Sequence, residues 1–524
     1  MPDCVVAAML DAHAERRPDQ VAALFDDGST WTWAQARDAV RETAGALRAL
    51  GVRRGDLVGM WLPNGPEAVR LWWAVNWLGA ALVPFNTAYR GPLLEHVLRD
   101  SGIGLLVAHH ELVPRLADVD TADVRDLVVV GGPAKLPGLT VHPEAVLGAG
   151  TAVLEPEPAE PWDLEVVVYT SGTTGPSKGV QVSYRHSDES MRAAYHYLTE
   201  QDRFLVNLPL FHVSGIGGVA SALMTGGSFA LVADFSTTTF WDVLRRTGST
   251  TLVLMGVMAT FLLKAPPRPD DADNPLRSVL MVPLAVDAEE FAARFGADVH
   301  TVFNMTEISS PLVAGPQPKP VGSCGRVRAG IEARLVDEHD QDVPEGQIGE
   351  LVLRADQPWT MTTGYLNRPE ATAAAWRNGW FHTGDAFRRD AAGNYFFADR
   401  IKDAIRRRGE NISSYELEAV VGTHPAVREA AAVAVPSPVG EDDVLVAVAP
   451  VEGVEVDPEE LLRFLVPLLP HYMVPRYVRT VPELPKTPTA KVQKHLLREA
   501  AVTADTYDRE AHGFIVRRER LARS

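Results

Sequence analysis

Apolar and polar positions in the first 150 residues alternate between a helical and an extended period. Thr32 can cap a helix running from Trp33 to Leu50, where apolar side chains recur at helical spacing and Gly51 supplies the stop. Short apolar runs at Leu57 to Leu62 and Ala81 to Pro84 read as strands, with an amphipathic helix beginning near Pro66 between them. Such βα alternation predicts parallel sheets covered by helices. Further strands are expected at Leu127 to Val130, Val166 to Thr170, Phe204 to Leu208, Phe229 to Val232, Thr251 to Met255 and Ser278 to Val282. From Ile331 to Leu353 the runs shorten and alternate around turns such as Pro344-Glu345-Gly346, which predicts an antiparallel, barrel-like portion. Near Asp399 the pattern changes again, to a cationic stretch followed by a helix and a βαβ-like tail. No internal repeat or low-complexity tract interrupts the chain.

Composition adds limits. At 524 residues with 46% hydrophobic content, the chain is long enough for at least two domains with real cores. The 50 Lys and Arg against 68 Asp and Glu leave a formal charge of −18. This speaks against a general nucleic-acid or anionic-membrane binder, which needs a basic surface. It leaves room for a local basic pocket. The charge is uneven: the first 400 residues hold 33 basic and 49 acidic residues, and the remainder 17 and 19. With the change of pattern, this sets a boundary near Asp399 to Lys402, giving domains 1–399 and 400–524. Two cysteines, Cys4 and Cys324, provide neither a disulfide framework nor a zinc motif. The N-terminus lacks a basic signal-peptide region. The longest apolar run, Leu71 to Phe85, is shorter than the roughly 20 residues of a membrane span. A cytoplasmic protein without a membrane span is the expectation.

The strongest chemical signal is Tyr169 to Val180, YTSGTTGPSKGV. A strand enters a loop of small polar residues closed by Lys178. Gly172 and Gly175 let backbone N–H groups approach an oxyanion. Thr170, Ser171, Thr173 and Thr174 add hydroxyl donors, and Lys178 adds charge, so the loop can cradle polyphosphate. It is not the G-x-x-x-x-G-K-[ST] loop, since Gly179 follows Lys178.

This segment resembles the phosphate-loop signature of the adenylate-forming superfamily, which includes acyl-CoA synthetases, luciferases and adenylation domains. Further motifs in the same order extend the resemblance over nearly the whole chain. Phe303 to Glu307, FNMTE, is similar to the family's aromatic-Gly-x-Thr-Glu segment. The resemblance implies that Phe303 stacks on adenine, with Asn304 and Met305 beside the nucleotide. It also implies that Thr306 bonds the α-phosphate and Glu307 holds Mg²⁺, the charge that makes a carboxylate tolerable beside a triphosphate. Trp380 to Asp385, WFHTGD, resembles W-[FY]-x-T-G-D, in which Asp385 accepts from both ribose hydroxyls. Gly364-Tyr365 and Pro369-Glu370-Ala371-Thr372 match the run before it.

Asp399 to Glu418 resembles the family's hinge motif, with Arg400 on ribose or phosphate and Lys402 as the pivot. Arg406, Arg407 and Arg408 read either as a solvated charge run or as an attraction for CoA phosphates. Leu484 to Lys494, LPKTPTAKVQK, is similar to the C-terminal motif of the catalytic lysine. Lys491 then bridges carboxylate and α-phosphate, offsetting charge as two anions meet. Leu208 to Val213, LPLFHV, resembles the segment lining the acyl pocket, with His212 closing it near the carboxylate; a core histidine is the plain alternative.

Three departures stand out. Asn304 replaces the family's usual Gly. Met281-Val282-Pro283-Leu284 stands in place of G-[AG]-A-P, as in crotonobetaine/carnitine-CoA ligase-like acyl-CoA ligases, the branch the chain most resembles. Ala490 replaces the Gly before the catalytic lysine. The resemblance implies an α/β fold. Its large N-terminal domain has parallel-sheet αβαβα layers and a barrel-like portion, and its small α+β C-terminal domain is mobile. It implies an AMP-forming ligase that takes a small-molecule acid, ATP, Mg²⁺ and CoA. Another outcome of the same adenylation is nitrite activation for an aminoaryl acid, or the loading of a carrier protein. A non-catalytic nucleotide binder would be expected to lack Lys491, Glu307 or Asp385, and all three are present.

Overall fold

The computed structural model describes residues 3–121, 123–150, 154–170, 176–263, 265–285, 287–400, 405–407, 410–412, 414–437, 440–485, 492 and 494–516. Ser171 to Gly175, Lys402, Arg408, Ala490 and Lys491 lie outside the described residues, as does the side chain of Arg400.

Two large sheets form the N-terminal part. In the first, Thr140–Pro143, Asp126–Val130, Leu105–His109, Leu57–Trp61, Ala81–Pro84 and Leu164–Thr170 run parallel in that spatial order, and Lys178–Ser183 closes the edge antiparallel. In the second, the strands Val21–Phe25, Ser228–Leu231, Arg203–Val206, Thr251–Met255, Ser278–Val282 and Asp298–Phe303 are parallel. Antiparallel strands lie at both edges. One continuous core joins the facing sides of both sheets through the helices between them, including fully buried Trp72, Trp73 and Trp77 of the helix Pro66–Trp77. Separate cores cover the outer faces. Helices on both sides of and between two sheets give the expected αβαβα layering.

Local sequence accounts for much of this. The helix Trp33–Ala49 starts at a reciprocal cap: Thr32 Oγ1 accepts from Gln35 N at 3.2 Å, and Gln35 Oε1 accepts from Thr32 N at 2.8 Å. Such a box is worth about 1 kcal/mol. Gly51, at φ +100°, ends it in a conformation costly for other residues. The strand expected over Phe204 to Leu208 stops at Val206. Asn64 takes over the ladder there. Its Nδ2 donates to the carbonyls of Leu208 and Val232, and its Oδ1 accepts from Leu210 N. The chain is thereby released into the loop that carries His212.

Four antiparallel strands follow, Ile331–Val336, Gly349–Ala355, Phe381–Arg389 and Tyr395–Arg400, around their own core. This is the barrel-like portion. The WFHTGD segment lies largely within the strand Phe381–Arg389.

The C-terminal part opens with the hairpin Ile405–Arg407 and Glu410–Ile412. A second sheet pairs Val427–Pro436, Asp442–Pro450, Tyr477–Thr480 and Tyr507–Asp508. Its parallel pair, Asp442–Pro450 and Tyr477–Thr480, is joined by the helix Pro458–Leu465, a βαβ unit. This part packs its core against Leu93 and accepts a hydrogen bond across the boundary, since Asn86 Nδ2 donates to Tyr472 Oη at 3.1 Å. Among the described residues, no helix is long and apolar enough to cross a membrane.

Candidate functional site

Thr170 and Phe303 stand at the carboxyl ends of parallel strands, where α/β sheets bind ligands. Leu164–Thr170 and Lys178–Ser183 pair with Thr170 opposite Lys178, which closes the base of the phosphate loop. Both arms are tied down. Tyr169 Oη donates to Asp100 Oδ2 at 2.9 Å, and Asp100 Oδ1 meets Arg368 at 2.6 Å. On the outgoing arm, His96 Nε2 donates to the Ser177 carbonyl at 2.8 Å.

Lys178 Nζ lies 4.7 Å from the centre of the Tyr365 ring. Tyr365 Oη in turn donates to Glu307 Oε1 at 2.9 Å. Burial, then the adjacent Glu307 carboxylate, raises the phenol pKa well above its ordinary value, so the hydroxyl stays a donor. Glu307 is itself buried. Sequence reading placed Tyr365 in a motif without assigning it a role. The structure makes it the link between the two charged groups.

The strand Asp298–Phe303 ends at the FNMTE segment, and Thr306 and Glu307 lie in a turn rather than at a helix start. Phe303 packs edge-on against Phe387, with ring centres 4.8 Å apart. Met305 packs on the core of the barrel-like portion. Asn304 is accommodated by a local network. Its Nδ2 donates to Ser190 Oγ at 3.2 Å, its Oδ1 accepts from Ser310 N at 2.8 Å, and the two serine hydroxyls are 3.2 Å apart. The amide that replaces glycine is therefore occupied by protein partners.

Asp385 is buried within the strand Phe381–Arg389, with its backbone opposite Arg400. Gly384, at φ +71°, permits the irregularity that places it, and Glu350 Oε1 accepts from Gly384 N at 3.0 Å. Glu350 also holds His382 Nδ1 at 2.9 Å. This motif is thus supported by a carboxylate that sequence reading did not single out.

His212 precedes the helix Val213–Thr225, and its Nε2 lies 2.9 Å from Glu410 Oε2 on the C-terminal hairpin. Desolvation by itself would lower the imidazole pKa; the charge and hydrogen bond of Glu410 outweigh it and raise the pKa above its ordinary value. The link therefore contributes fully below the free imidazole pKa of about 6.5 and is lost as pH rises through the higher folded value. Following the His212 ring proton by NMR is expected to give a pKa above that of free imidazole in wild type. In Glu410→Gln it is expected to fall, because the carboxylate charge that raises it is gone. An unchanged titration would break the pairing. Gly215 and Gly217 serve close packing: a Cβ would meet the Pro209 carbonyl at 2.1 Å and Met191 Sδ at 2.8 Å, respectively.

The arginine run divides. Arg407 is 1% exposed and bonded within the C-terminal part, so it is neither solvated nor presented to a ligand. Arg406 is partly exposed beside Glu441. Among the described residues, no group of three or more His, Cys, Asp or Glu side chains forms a metal cage. A single carboxylate such as Glu307 suits a cation whose other ligands come from phosphates and water.

The family profile described as AMP-binding enzyme matches residues 10–366, and that described as AMP-binding enzyme C-terminal domain matches residues 416–491. The crotonobetaine/carnitine–CoA ligase of Salmonella paratyphi C is 28% identical over 92% of this chain and 96% of its own. An o-succinylbenzoate CoA synthetase double mutant from Bacillus subtilis, bound to a product analogue, superimposes with TM-score 0.82 at 25% identity, over 94% of this chain and 98% of that one. The same Bacillus enzyme with its acyl-adenylate superimposes with TM-score 0.66. The amide bond synthetase of Marinactinospora thermotolerans superimposes with TM-score 0.81 at 27% identity, over 94% and 99%.

Proposed function

The chain belongs to the AMP-binding, adenylate-forming enzyme family, and from that premise we propose that it activates a small carboxylic acid with ATP and passes the acyl group to the thiol of CoA. The observation that carries this reading is the convergence of Lys178, Tyr365 and Glu307 beside the base of the phosphate loop. A cation, a buried carboxylate and a loop suited to oxyanions together match a triphosphate.

In the first step a carboxylate oxygen attacks the α-phosphorus, and the bond to pyrophosphate breaks. Thr306 would bond the α-phosphate, Lys178 and the loop hydroxyls would hold the departing pyrophosphate, and Asp385 and Arg400 would hold the ribose. Glu307 would hold Mg²⁺, which when bound neutralises phosphate charge. Lys491 would bring carboxylate and α-phosphate together. In the second step the CoA sulfur attacks the acyl carbonyl, the thiol proton is lost and AMP leaves. His212 and Glu410 would border that second site.

Two chemistries around one intermediate call for two sets of groups, and we propose residues 400–524 as the mobile unit that exchanges them about Lys402. The better superposition on the product-analogue complex than on the acyl-adenylate complex of one Bacillus enzyme supports this reading.

The similarity to an amide bond synthetase favours one second reading, in which an amine rather than CoA accepts the acyl group. A pyrophosphate-release screen over a panel of carboxylic acids separates the two, run with CoA, with amines and with neither. Nitrite plus an aminoaryl acid is added as a further arm. CoA-dependent turnover is expected. Turnover that ignores CoA and responds to amine or nitrite would overturn the ligase reading. The chain is expected to act as a cytoplasmic enzyme.

A further inference from the structure

We infer that Tyr365 is a positioning residue for Mg-ATP, a strut whose hydroxyl orients the Glu307 carboxylate and whose ring parks the Lys178 ammonium. This rests on the ligase reading above and assigns to Tyr365 a role in its first step. The strut is rigid because the segment that carries it is fastened on both sides. Thr362 N donates to the Glu307 carbonyl at 2.9 Å, and Thr362 Oγ1 donates to the Gln181 carbonyl at 2.8 Å. Gln181 N donates to the Gly364 carbonyl at 3.0 Å, and Leu366 N to the Gly179 carbonyl at 2.8 Å. Tyr365 therefore pairs with Val180 as a short added strand along the outgoing arm of the phosphate loop. Its own N–H donates to Thr372 Oγ1 at 2.9 Å. Arg368, three residues on, meets Asp100, the same carboxylate that holds Tyr169 on the incoming arm.

The two contacts differ in kind, and the difference is functional. The hydrogen bond to Oε1 restricts rotation of the carboxylate, so a divalent cation finds its ligand already oriented. The ring face attracts an ammonium only weakly, without a directed bond. The ring thus helps to keep Lys178 beside the loop.

The test uses the full chain and two variants. Calorimetric titration measures ATP binding at graded Mg²⁺, metal-free ATP binding, and AMP binding without metal as a control for fold and for the adenosine site. In Tyr365→Phe the Mg²⁺ concentration that half-saturates ATP binding is expected to rise about tenfold, the usual cost of removing a group that orients a metal ligand. AMP affinity should be unchanged. In Tyr365→Leu metal-free ATP should also bind more weakly than in Tyr365→Phe, because the ring beneath Lys178 is gone. An unchanged Mg²⁺ requirement in Tyr365→Phe overturns the inference. So does a parallel loss of AMP affinity, which marks a merely structural residue, or equal metal-free ATP binding in the two variants. A wild-type chain that binds no Mg-ATP would instead overturn the ligase reading itself.

Discussion

Lys491→Ala is expected to abolish adenylation while largely sparing transfer from a supplied acyl-adenylate. Lys491 lies outside the described residues, and the expectation rests on its place in the LPKTPTAKVQK motif. An ammonium between an attacking carboxylate and an α-phosphate offsets charge that grows as the two anions approach. Removing one such preorganised group costs roughly 10²–10³-fold in rate. The second step joins a thiol to an already activated carbonyl and has no use for that cation. The first half-reaction is read by pyrophosphate exchange into ATP, and the second by thioester formation from synthetic acyl-AMP. Equal loss in both would remove the assigned role and place Lys491 among groups that hold the fold.

Arg407→Ala is expected to destabilise the C-terminal part by about 3 kcal/mol, the lower end for breaking a buried charged pair. Arg407 Nη1 donates to the carbonyls of Tyr472 and Val474 at 3.2 and 2.8 Å, and its Nε lies 3.2 Å from Asp443 Oδ1. Truncation strands two acceptors. Asp443 keeps Arg476 at 2.8 Å, which is why the upper end is not expected. Tyr472 also meets Asn86 across the boundary, so docking of the two parts should weaken as well. Urea denaturation of the full chain should show an earlier C-terminal transition, while AMP binding persists. A loss below about 1 kcal/mol would restore the solvated-run reading.

Much of the fold was legible because its signals are local. The helix at Trp33 announces itself through a cap three residues deep and a glycine stop. The strands Ala81–Pro84, Thr251–Met255 and Ser278–Val282 fall where their apolar runs lie. The strand after Arg203 was overextended because its end is set by Asn64, a residue far away in sequence whose side chain replaces the ladder. WFHTGD is drawn into a strand by pairing with Gly349–Ala355.

The same division runs through the site. The residue types that suit phosphate, ribose and metal stand in contiguous motifs, and contiguity lets a sequence display them. Sequence by itself therefore determined the two-part α/β organisation and the order of the motifs. Tertiary structure alone decided that Tyr365 joins Lys178 to Glu307, that Glu410 meets His212 and that Arg407 is buried. Each depends on segments distant in the chain meeting at one place. A hydrogen bond or an ion pair depends on distance in space, and the order of residues does not specify that distance until the sheets have packed.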